Sequence, residues 1–129
     1  MIIDSSALIA ILFAENDAAR YATAISEADI NRISAASFVE TAMVVEYYAG
    51  LRGGHLFDDL LRRARIVIEP VSIEQAHLAR QAFRDFGKGR HAAGLNFGDC
   101  FVYALAKSFA EPLLFKGSDF AKTDIVAAV

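Results

Sequence analysis

The stretch Met1-Ile-Ile-Asp-Ser-Ser-Ala-Leu8 begins the chain and contains the unit on which the fold is built. Its two isoleucines favour a short buried strand, because β-branched side chains pack well on a pleated sheet. Ser5 or Ser6 can cap a helix that starts immediately afterwards. A strand that leads directly into a helix is the repeating unit of α/β proteins. The apolar face of this first helix would be formed by Leu8, Ile9, Leu12 and Phe13.

The same alternation of short apolar strands and helices continues along the chain. Further strands are predicted at 32–35, 66–69 and 112–115, with 124–126 as a candidate fifth. Helices are predicted at 17–28, 37–49, 55–64, 72–86 and 100–109, and Gly50 should end the long third helix. The pattern predicts a single α/β domain over residues 1–129. Its architecture would be a three-layer α/β/α sandwich with a central, mainly parallel sheet of four to five strands.

Composition restricts the compartment in which the protein is expected. Cys100 is the only cysteine, so no intrachain disulfide can form, which suits a reducing cytosol. No basic segment precedes an apolar stretch at the start of the chain, and the longest uncharged run, 5–14, is too short to span a bilayer. We therefore expect a cytoplasmic protein that makes no use of a membrane.

The net charge of −3 is unevenly distributed. Between Arg52 and His91 there are eight Lys or Arg and five Asp or Glu, a local charge of +3, whereas the remaining residues carry five and eleven, or −6. An acidic site with a basic border is what a metal-dependent enzyme acting on a polyanion would need. Ordinary solvated helix faces would also explain the asymmetry.

Four carboxylates lie where the chain changes direction: Asp4, Glu40, Asp99 and Asp119. Ligand sites in parallel sheets lie beyond the carboxyl ends of the strands, and Asp4 and Asp119 each follow a predicted strand. Ionised carboxylates that converge must take up protons or share a cation. Since all-oxygen ligands select Mg²⁺ or Mn²⁺, the four acids predict a divalent-metal site if the fold brings them together.

Each acid also has a purely structural explanation. Asp4 could cap the first helix, Asp99 could be a favourable acid in the first turn of another, and Asp119 could cap a turn. Glu46 has neighbours as apolar as those of Glu40, so periodicity does not choose between these two.

Other catalytic chemistries fit less well. The sequence contains no Gly-x-Ser-x-Gly elbow, no Gly-x-Gly-x-x-Gly and no phosphate-binding P-loop. Its three histidines lack the spacing of zinc ligands.

Segments spread over essentially the whole chain resemble the PIN-domain family, and specifically the VapC-type toxins of bacterial toxin–antitoxin pairs. The stretch that ends in Leu95-Asn-Phe-Gly-Asp-Cys-Phe101 is the most specific of them when it is followed by Leu113-Leu-Phe-Lys-Gly-Ser-Asp-Phe120. The matching segments, in family order, are Met1-Ile-Ile-Asp-Ser-Ser-Ala-Leu8, Ser37-Phe-Val-Glu-Thr-Ala42, Gly89-Arg-His-Ala-Ala-Gly-Leu-Asn-Phe-Gly-Asp-Cys-Phe101, Leu113-Leu-Phe-Lys-Gly-Ser-Asp-Phe120 and Thr123-Asp-Ile125.

The resemblance implies a PIN fold and an endoribonuclease that depends on Mg²⁺ or Mn²⁺. It also implies a homodimer that a small VapB-type antitoxin holds inactive. Carried over by motif, Asp4, Glu40, Asp99 and Asp119 would form the acidic pocket, with Asp124 as another candidate for the fourth acid. Asp4 and Asp99 would hold the metal directly, and Glu40 and Asp119 would act through it or its waters; one metal or two remains open.

Basic residues near such a pocket could neutralise RNA phosphates. The candidates are Arg62, Arg63, Arg65, Lys88, Arg90 and His91.

An inhibitor would have to cover the pocket. We hypothesise a short chain with apolar anchors and an Arg that reaches Asp4, Glu40 and Asp99, because a guanidinium pairs bidentately with carboxylates. The anchors would lie in a groove between the first helix and the long helix, unless these residues are simply core. The residues in question are Leu8, Ile9, Leu12, Val39, Met43 and Tyr47.

Two other functions remain as alternatives. One is a PIN-like protein that keeps the fold but acts only as a binding partner. The other is a response-regulator receiver, which would need a phosphorylatable Asp after its third strand. Here that strand ends in Glu69-Pro70, which makes a receiver the weaker alternative.

Overall fold

A computed structural model describes all residues from Met1 to Val129. Five helices and four strands make up the fold, and a short 3₁₀ turn at Phe120–Lys122 follows them. In order they are β1 (Ile2–Ile3), α1 (Ser5–Leu12), α2 (Ala18–Glu27), β2 (Asn31–Ser34), α3 (Ala35–Arg63), β3 (Ile66–Glu69), α4 (Ile73–Phe86), α5 (Phe97–Phe109) and β4 (Leu113–Leu114).

The four strands form one sheet in the order β3-β2-β1-β4, and every neighbouring pair is parallel. The predicted α/β class with a parallel sheet is therefore confirmed. The order also differs from the 2-1-3-4-5 order of receiver domains, which removes the receiver alternative. Because all strands run the same way, their carboxyl ends meet at one edge of the sheet, and this edge carries whatever follows β1, β2 and β4.

Alternate residues of the short strands supply two separate cores. Ile2 and Leu113 are fully buried on one face, against α4 and α5, whereas Ile3 and Leu114 are fully buried on the other, against α1, α2 and α3. This is the expected result of the two-residue period of a strand. It makes the sheet the middle layer of the predicted sandwich.

One predicted boundary differs from the structure. Residues 124–126 do not form a fifth strand, since the segment makes only one bridge to β4, between Leu113 and Ala127. The break predicted at Gly50 is present, because Gly50 has non-helical backbone angles, φ 64° and ψ −161°, and the second part of α3 runs from there to Arg63. Glycine adopts this left-handed conformation without the steric cost that a β-carbon would bring. No helix of the protein combines the length and apolarity needed to cross a bilayer.

Candidate active site

The sheet edge formed by the carboxyl ends of the strands brings the four predicted acids into one region. Asp4 directly follows β1, and Asp119 lies in the segment after β4. Glu40 lies in the second turn of α3, which continues from β2 without a loop, and Asp99 lies in the first turn of α5. Each acid is thus held by a different element, as expected for ligands at the edge of a parallel sheet.

Asp4 is only 5% exposed, and hydrogen bonds from Ser6 hold its carboxylate in one orientation. Its Oδ2 atom accepts hydrogen bonds from the backbone N–H of Ser6, 3.0 Å away, and from the Ser6 hydroxyl. The N-cap of α1 is therefore Asp4, not Ser5 or Ser6 as the sequence predicts, because both serine hydroxyls are used elsewhere. Burial raises the pKa of Asp4 above its ordinary value; the hydrogen bonds from Ser6 oppose this, and the charge of Glu40 adds to it.

Ser6 also connects Asp4 to the segment that carries Asp119. The backbone N–H of Lys116, two residues beyond β4, donates to the Ser6 hydroxyl oxygen over 2.9 Å. Lys116 itself is held by ion pairs to Glu15 and Asp17 in the segment between α1 and α2. One serine hydroxyl therefore fixes the position of two of the chain segments that bear acids.

Glu40 is the glutamate that the structure places at this edge. Ser5 donates its hydroxyl hydrogen to Glu40 Oε1 over 2.8 Å, whereas Glu46 is exposed. Glu40 also touches α5 at Gly98, where a β-carbon would lie 2.2 Å from Glu40 Oε2. The contact explains why a glycine occupies the first turn of this helix, a position at which glycine costs about 1 kcal/mol relative to alanine.

Asp99 combines the structural role and the predicted functional one. It completes a capping box, since Asn96 N–H donates to Asp99 Oδ2 over 3.0 Å and Asp99 N–H donates to Asn96 Oδ1 over 2.9 Å. Its pKa is nevertheless raised to about 6. Burial is the largest cause, the hydrogen bond from Asn96 opposes it, and the charges of Asp4, Glu40 and Asp119 raise it further. Asp4, Glu40 and Asp119 therefore each lie close enough to act electrostatically on Asp99.

The two candidates for the fourth acid have different surroundings. Asp119 is exposed and precedes the 3₁₀ turn without making a capping hydrogen bond, so its carboxylate is free to turn toward the other three. Asp124 instead accepts hydrogen bonds from Tyr103, at 2.7 Å, and from Lys107, at 2.9 Å. These bonds hold Asp124 beside Tyr103 and Lys107, which lie about 6 and about 12 Å along the helix axis from Asp99 at 1.5 Å per residue.

The predicted RNA-contacting residues divide into two groups. Arg62 and Arg63 end α3 and Arg65 precedes β3, so these three lie at the opposite edge of the sheet from the four acids. This placement argues against their contact with RNA bound at the acids. It follows from the parallel pairing of β3 with β2, because residues just before a strand and residues just after its parallel neighbour lie at opposite ends of the sheet. The other group lies in the loop that leads into the first turn of α5 and contains Lys88, Arg90 and His91.

The sequence does not predict the roles of two residues that support the site. It predicts only helix capping for Ser5, whose hydroxyl in fact donates a hydrogen bond to Glu40. Gly98 carried a signal that could have been used, since a glycine inside the first turn of an otherwise favourable helix indicates a close approach by another group.

The apolar groove predicted beside the site is only half present. On α1, Leu8 is fully buried in the core, and Ile9 and Leu12 are partly buried. On α3, the side chains of Val39, Met43 and Tyr47 form an exposed row, which we call the α3 stripe. The spacing of four residues places them on one face of the helix, before the kink at Gly50. Core packing therefore explains the α1 residues, whereas the α3 residues are left exposed.

As the side chains stand, no three acidic, histidine or cysteine residues have the geometry to hold a metal ion. In this arrangement Asp4, Glu40 and Asp99 each accept a hydrogen bond from a nearby group. The donor set itself, four carboxylates, is the type that suits Mg²⁺ or Mn²⁺.

Comparisons of the sequence with known proteins all indicate one protein family. The family model of the PIN domain matches residues 1–126. The chain is 51% identical over 125 residues to ribonuclease VapC30 of Mycobacterium tuberculosis, covering 97% of this chain and 95% of that protein. It is 50% identical over 130 residues to ribonuclease VapC28 of the same organism, covering 100% and 98%.

Solved structures show the same fold at low sequence identity. The crystal structure of VapC20 of Mycobacterium tuberculosis, described as a toxin that cleaves the sarcin-ricin loop, superposes with a TM-score of 0.79 at 15% identity, covering 97% of this chain and 95% of that one. A toxin–antitoxin complex from Klebsiella pneumoniae gives a TM-score of 0.69 at 19% identity, covering 99% and 97%.

Proposed function

This chain belongs to the PIN-domain family as a VapC ribonuclease toxin of a toxin–antitoxin system, and on that premise we propose that Asp4, Glu40, Asp99 and Asp119 form its metal-dependent RNA-cleaving centre. The observation that carries the proposal is geometric: four acids from four different elements lie at the carboxyl ends of the strands, where Ser5 joins Glu40 to the start of α1 and Gly98 brings Glu40 against the turn that carries Asp99. The raised pKa of Asp99, to which the charges of Asp4, Glu40 and Asp119 contribute, agrees with this. Such a concentration of charge lowers the stability of the protein unless a cation or protons compensate it.

The proposed cofactor is Mg²⁺ or Mn²⁺. Asp4 and Asp99 would hold it directly, because these are the two acids that burial removes most from water, and Glu40 and Asp119 would complete the set. A bound divalent ion lowers the pKa of a water molecule and compensates the charge that develops on the phosphate oxygens.

The residues of the chain prepare the site for that chemistry. Ser6 holds Asp4 in one orientation, Ser5 does the same for Glu40, and the capping box fixes Asp99. Preorganised groups of this kind contribute to rate because they need not reorganise during the reaction. Asp119, which is exposed and makes no cap, is the acid that can adjust to the substrate.

The proposed substrate is cellular RNA, in agreement with the names of the ribonucleases that this chain resembles. We place its action in the cytoplasm for the same reason. Lys88, Arg90 and His91 are the proposed phosphate contacts, since they lie in the loop that leads into the helix carrying Asp99.

The proposed protein partner is a VapB-type antitoxin that covers the α3 stripe. Tyr47 is 83% exposed and Met43 is 67% exposed, values that favour an apolar partner over water. The Klebsiella pneumoniae toxin–antitoxin complex, which has the same fold, supports an antitoxin as the partner, and the exposed apolar side chains support the α3 stripe as the surface. An Arg of the antitoxin would reach the four acids beyond the stripe. A homodimer is proposed as well, on the basis of the family.

The experiment that tests this function is cleavage of total RNA by the purified protein. We expect activity with Mg²⁺ or Mn²⁺, none after removal of the metal with EDTA, and recovery when either ion is restored. Asp4→Asn and Asp99→Asn should each abolish cleavage. Asp124→Asn is the matched control, because Asp124 is an acid near the same helix whose carboxylate is held by Tyr103 and Lys107. Cleavage that survives chelation would refute the proposal.

The alternative is a PIN protein that binds a partner but does not cut RNA. The same assay separates the two, because a binding protein would show no metal-dependent cleavage in the wild type while still associating with an antitoxin.

A further inference from the structure

A groove with a volume of about 570 Å³ lies between α4 and α5, on the far side of the first turn of α5 from the four acids. None of the residues described above as metal ligands lines it. Aromatic rings and guanidinium groups form most of its wall, and no carboxylate does. Its lining comprises Ala76, Ala79, Arg80, Phe83, Arg84, Arg90, Phe97, Cys100 and Phe101.

Phe97 is the most exposed of the aromatic residues in the groove. Its side chain is 80% exposed although it belongs to the first turn of a helix that is otherwise well packed. The ring meets Phe101 edge to face, with centroids 4.9 Å apart and planes at 77°, so Phe101 supports the ring but does not cover its faces. A supported ring with open faces is the arrangement on which a nucleobase stacks.

The charge of the groove is positive and uncompensated. Arg80 and Arg84 are four residues apart on α4 and therefore share a face, and Arg90 enters from the loop before α5. The guanidinium of Arg90 lies over the ring of Phe83, 5.5 Å from its centroid. None of the three arginines is paired with a carboxylate, whereas Arg32 and Arg62 are. The groove thus attracts an anion along its whole length.

The open aromatic ring and the unpaired arginines together favour single-stranded RNA, rather than a second copy of this chain, as the occupant of the groove. In a two-fold dimer formed through this groove, its three unpaired arginines would be joined by three more from the second copy, with no carboxylate in the lining of either groove to compensate their charge. A single-stranded nucleic acid offers the complementary set, with phosphates for the arginines and flat apolar bases for the rings.

The position of the groove relates it to cleavage. Phe97 and Asp99 lie in the same turn of α5, and a helix with its side chains is about 10 Å across. At about 3.4 Å for each stacked nucleotide, this distance corresponds to about three nucleotides. A strand that crosses the amino end of α5 would therefore reach both.

We propose that this groove binds the RNA substrate within about three nucleotides of the phosphate that is cut, with one unpaired base stacked on Phe97 and adjacent phosphates held by Arg80, Arg84 and Arg90. The proposal rests on the proposed function, and it names a feature of the substrate, an unpaired base at a fixed distance from the cut. Duplex RNA cannot present such a base without opening.

The test separates binding from cleavage. Binding is measured on the Asp99→Asn background with Mg²⁺, by the fluorescence anisotropy of a labelled single-stranded RNA of 12 nucleotides and mixed sequence. We expect Phe97→Ala to weaken binding by about 5- to 100-fold, as base–aromatic stacking predicts. Phe97→Tyr should restore it, because tyrosine keeps a ring of the same shape. Ile73→Ala is the matched control, since Ile73 is an 81% exposed apolar residue on α4 outside the groove.

The proposed phosphate contacts of the arginines are tested by measuring how RNA affinity depends on salt concentration. Arg84→Gln should reduce the slope of log K against log salt concentration by about 1. Arg62→Gln, at the opposite edge of the sheet, should leave the slope unchanged. A chain of inorganic polyphosphate should compete with the RNA, and Phe97→Ala should not alter the affinity for polyphosphate.

Three results would overturn the proposal: an unchanged affinity in Phe97→Ala, equal binding of a fully paired duplex of the same length, or a fall in molecular mass from dimer to monomer in Phe97→Ala by light scattering. The last would assign the groove to self-association. Failure of the proposed function would look different, since the wild type would then not cut RNA with Mg²⁺ while the effects of Phe97 on binding persisted. Conversely, metal-dependent cleavage with an unchanged KM in Phe97→Ala would refute the proposed binding of RNA in the groove, but not the proposed role of the four acids in cleavage.

Discussion

Gly98 lies against the carboxylate of Glu40, so closely that a β-carbon at residue 98 would be 2.2 Å from Glu40 Oε2. The contact joins the first turn of α5, which carries Asp99, to the second turn of α3. The absence of a side chain at one residue thus sets how closely two of the proposed catalytic acids approach.

Gly98→Ala should damage activity without damaging the fold. The group that must move is the end of a flexible glutamate side chain, and alanine favours a helix by about 1 kcal/mol relative to glycine. We expect an unchanged or slightly raised melting temperature together with a loss of cleavage rate of about 100-fold, the effect of a displacement near 1 Å. Gly54→Ala is the control, because a β-carbon there would meet the exposed Glu46, 3.0 Å away. Equal loss of activity in both variants would mean that the contact with Glu40 is unimportant.

Asp99→Asn should abolish cleavage and raise the stability of the metal-free protein. Repulsion by Asp4, Glu40 and Asp119 contributes to the raised pKa of Asp99, and the amide removes this repulsion while its oxygen can still accept the hydrogen bond from Asn96. Thermal unfolding in EDTA, followed by circular dichroism, measures the change. A lower melting temperature than that of the wild type would contradict the expectation of mutual repulsion.

Glu111 should give part of the stability its dependence on pH. Burial raises its pKa, but hydrogen bonds and charges from the amino terminus and Arg32 outweigh burial, so its pKa lies below the ordinary 4.5. Since the folded protein holds the ionised form more strongly, this contribution is fully present above pH 4.5 and is lost as the pH falls through the lowered pKa. Glu111→Gln should cost about 1 to 2 kcal/mol at pH 7.

Urea unfolding at a series of pH values measures this difference between the wild type and Glu111→Gln. The two curves should converge as the pH falls below 4.5. A difference that stays constant down to pH 2 would show that the ion pairs with Arg32 and the amino terminus do not stabilise the fold.

Charge placed on the α3 stripe should prevent inhibition and spare the enzyme. Met43→Glu puts an anion where an apolar anchor is expected, and Met43 is 67% exposed, so the core is not affected. Co-purification with the product of the adjacent small reading frame should fail for Met43→Glu, and its RNA cleavage should be that of the wild type. Ile73→Glu serves as the control, being an exposed apolar residue on α4 outside the stripe. Retention of the partner by Met43→Glu would exclude the stripe as the docking surface.

What the sequence could predict was local. The strand–helix pattern and the four acids at element ends follow from residues that are neighbours in the chain, and the structure confirms the parallel sheet that brings the ends of β1 and β4 together. The choice of Glu40 over Glu46 was not accessible, because both have apolar neighbours along α3 and only the contacts with Ser5 and Gly98 distinguish them.

Features that depend on distant parts of the chain were beyond prediction for the same reason. Arg62, Arg63 and Arg65 precede β3, and only the parallel pairing of β3 with β2 places them at the end of the sheet opposite the acids. Leu8 was plausible as an anchor for a partner until its burial under α3 was known. Phe97, by contrast, is exposed only because no other element covers the start of α5, and nothing in its local sequence indicates this.

The central claim is that four carboxylates from separate elements act as one metal-dependent centre. Calorimetric titration with Mn²⁺ tests it most directly, using the wild type, Asp4→Asn, Glu40→Gln, Asp99→Asn and Asp119→Asn, with Asp124→Asn as the control. We predict binding to the wild type that is weakened in each of the four variants, most in Asp4→Asn and Asp99→Asn, and unchanged in Asp124→Asn. Mn²⁺ that binds Asp99→Asn as tightly as the wild type would contradict the account.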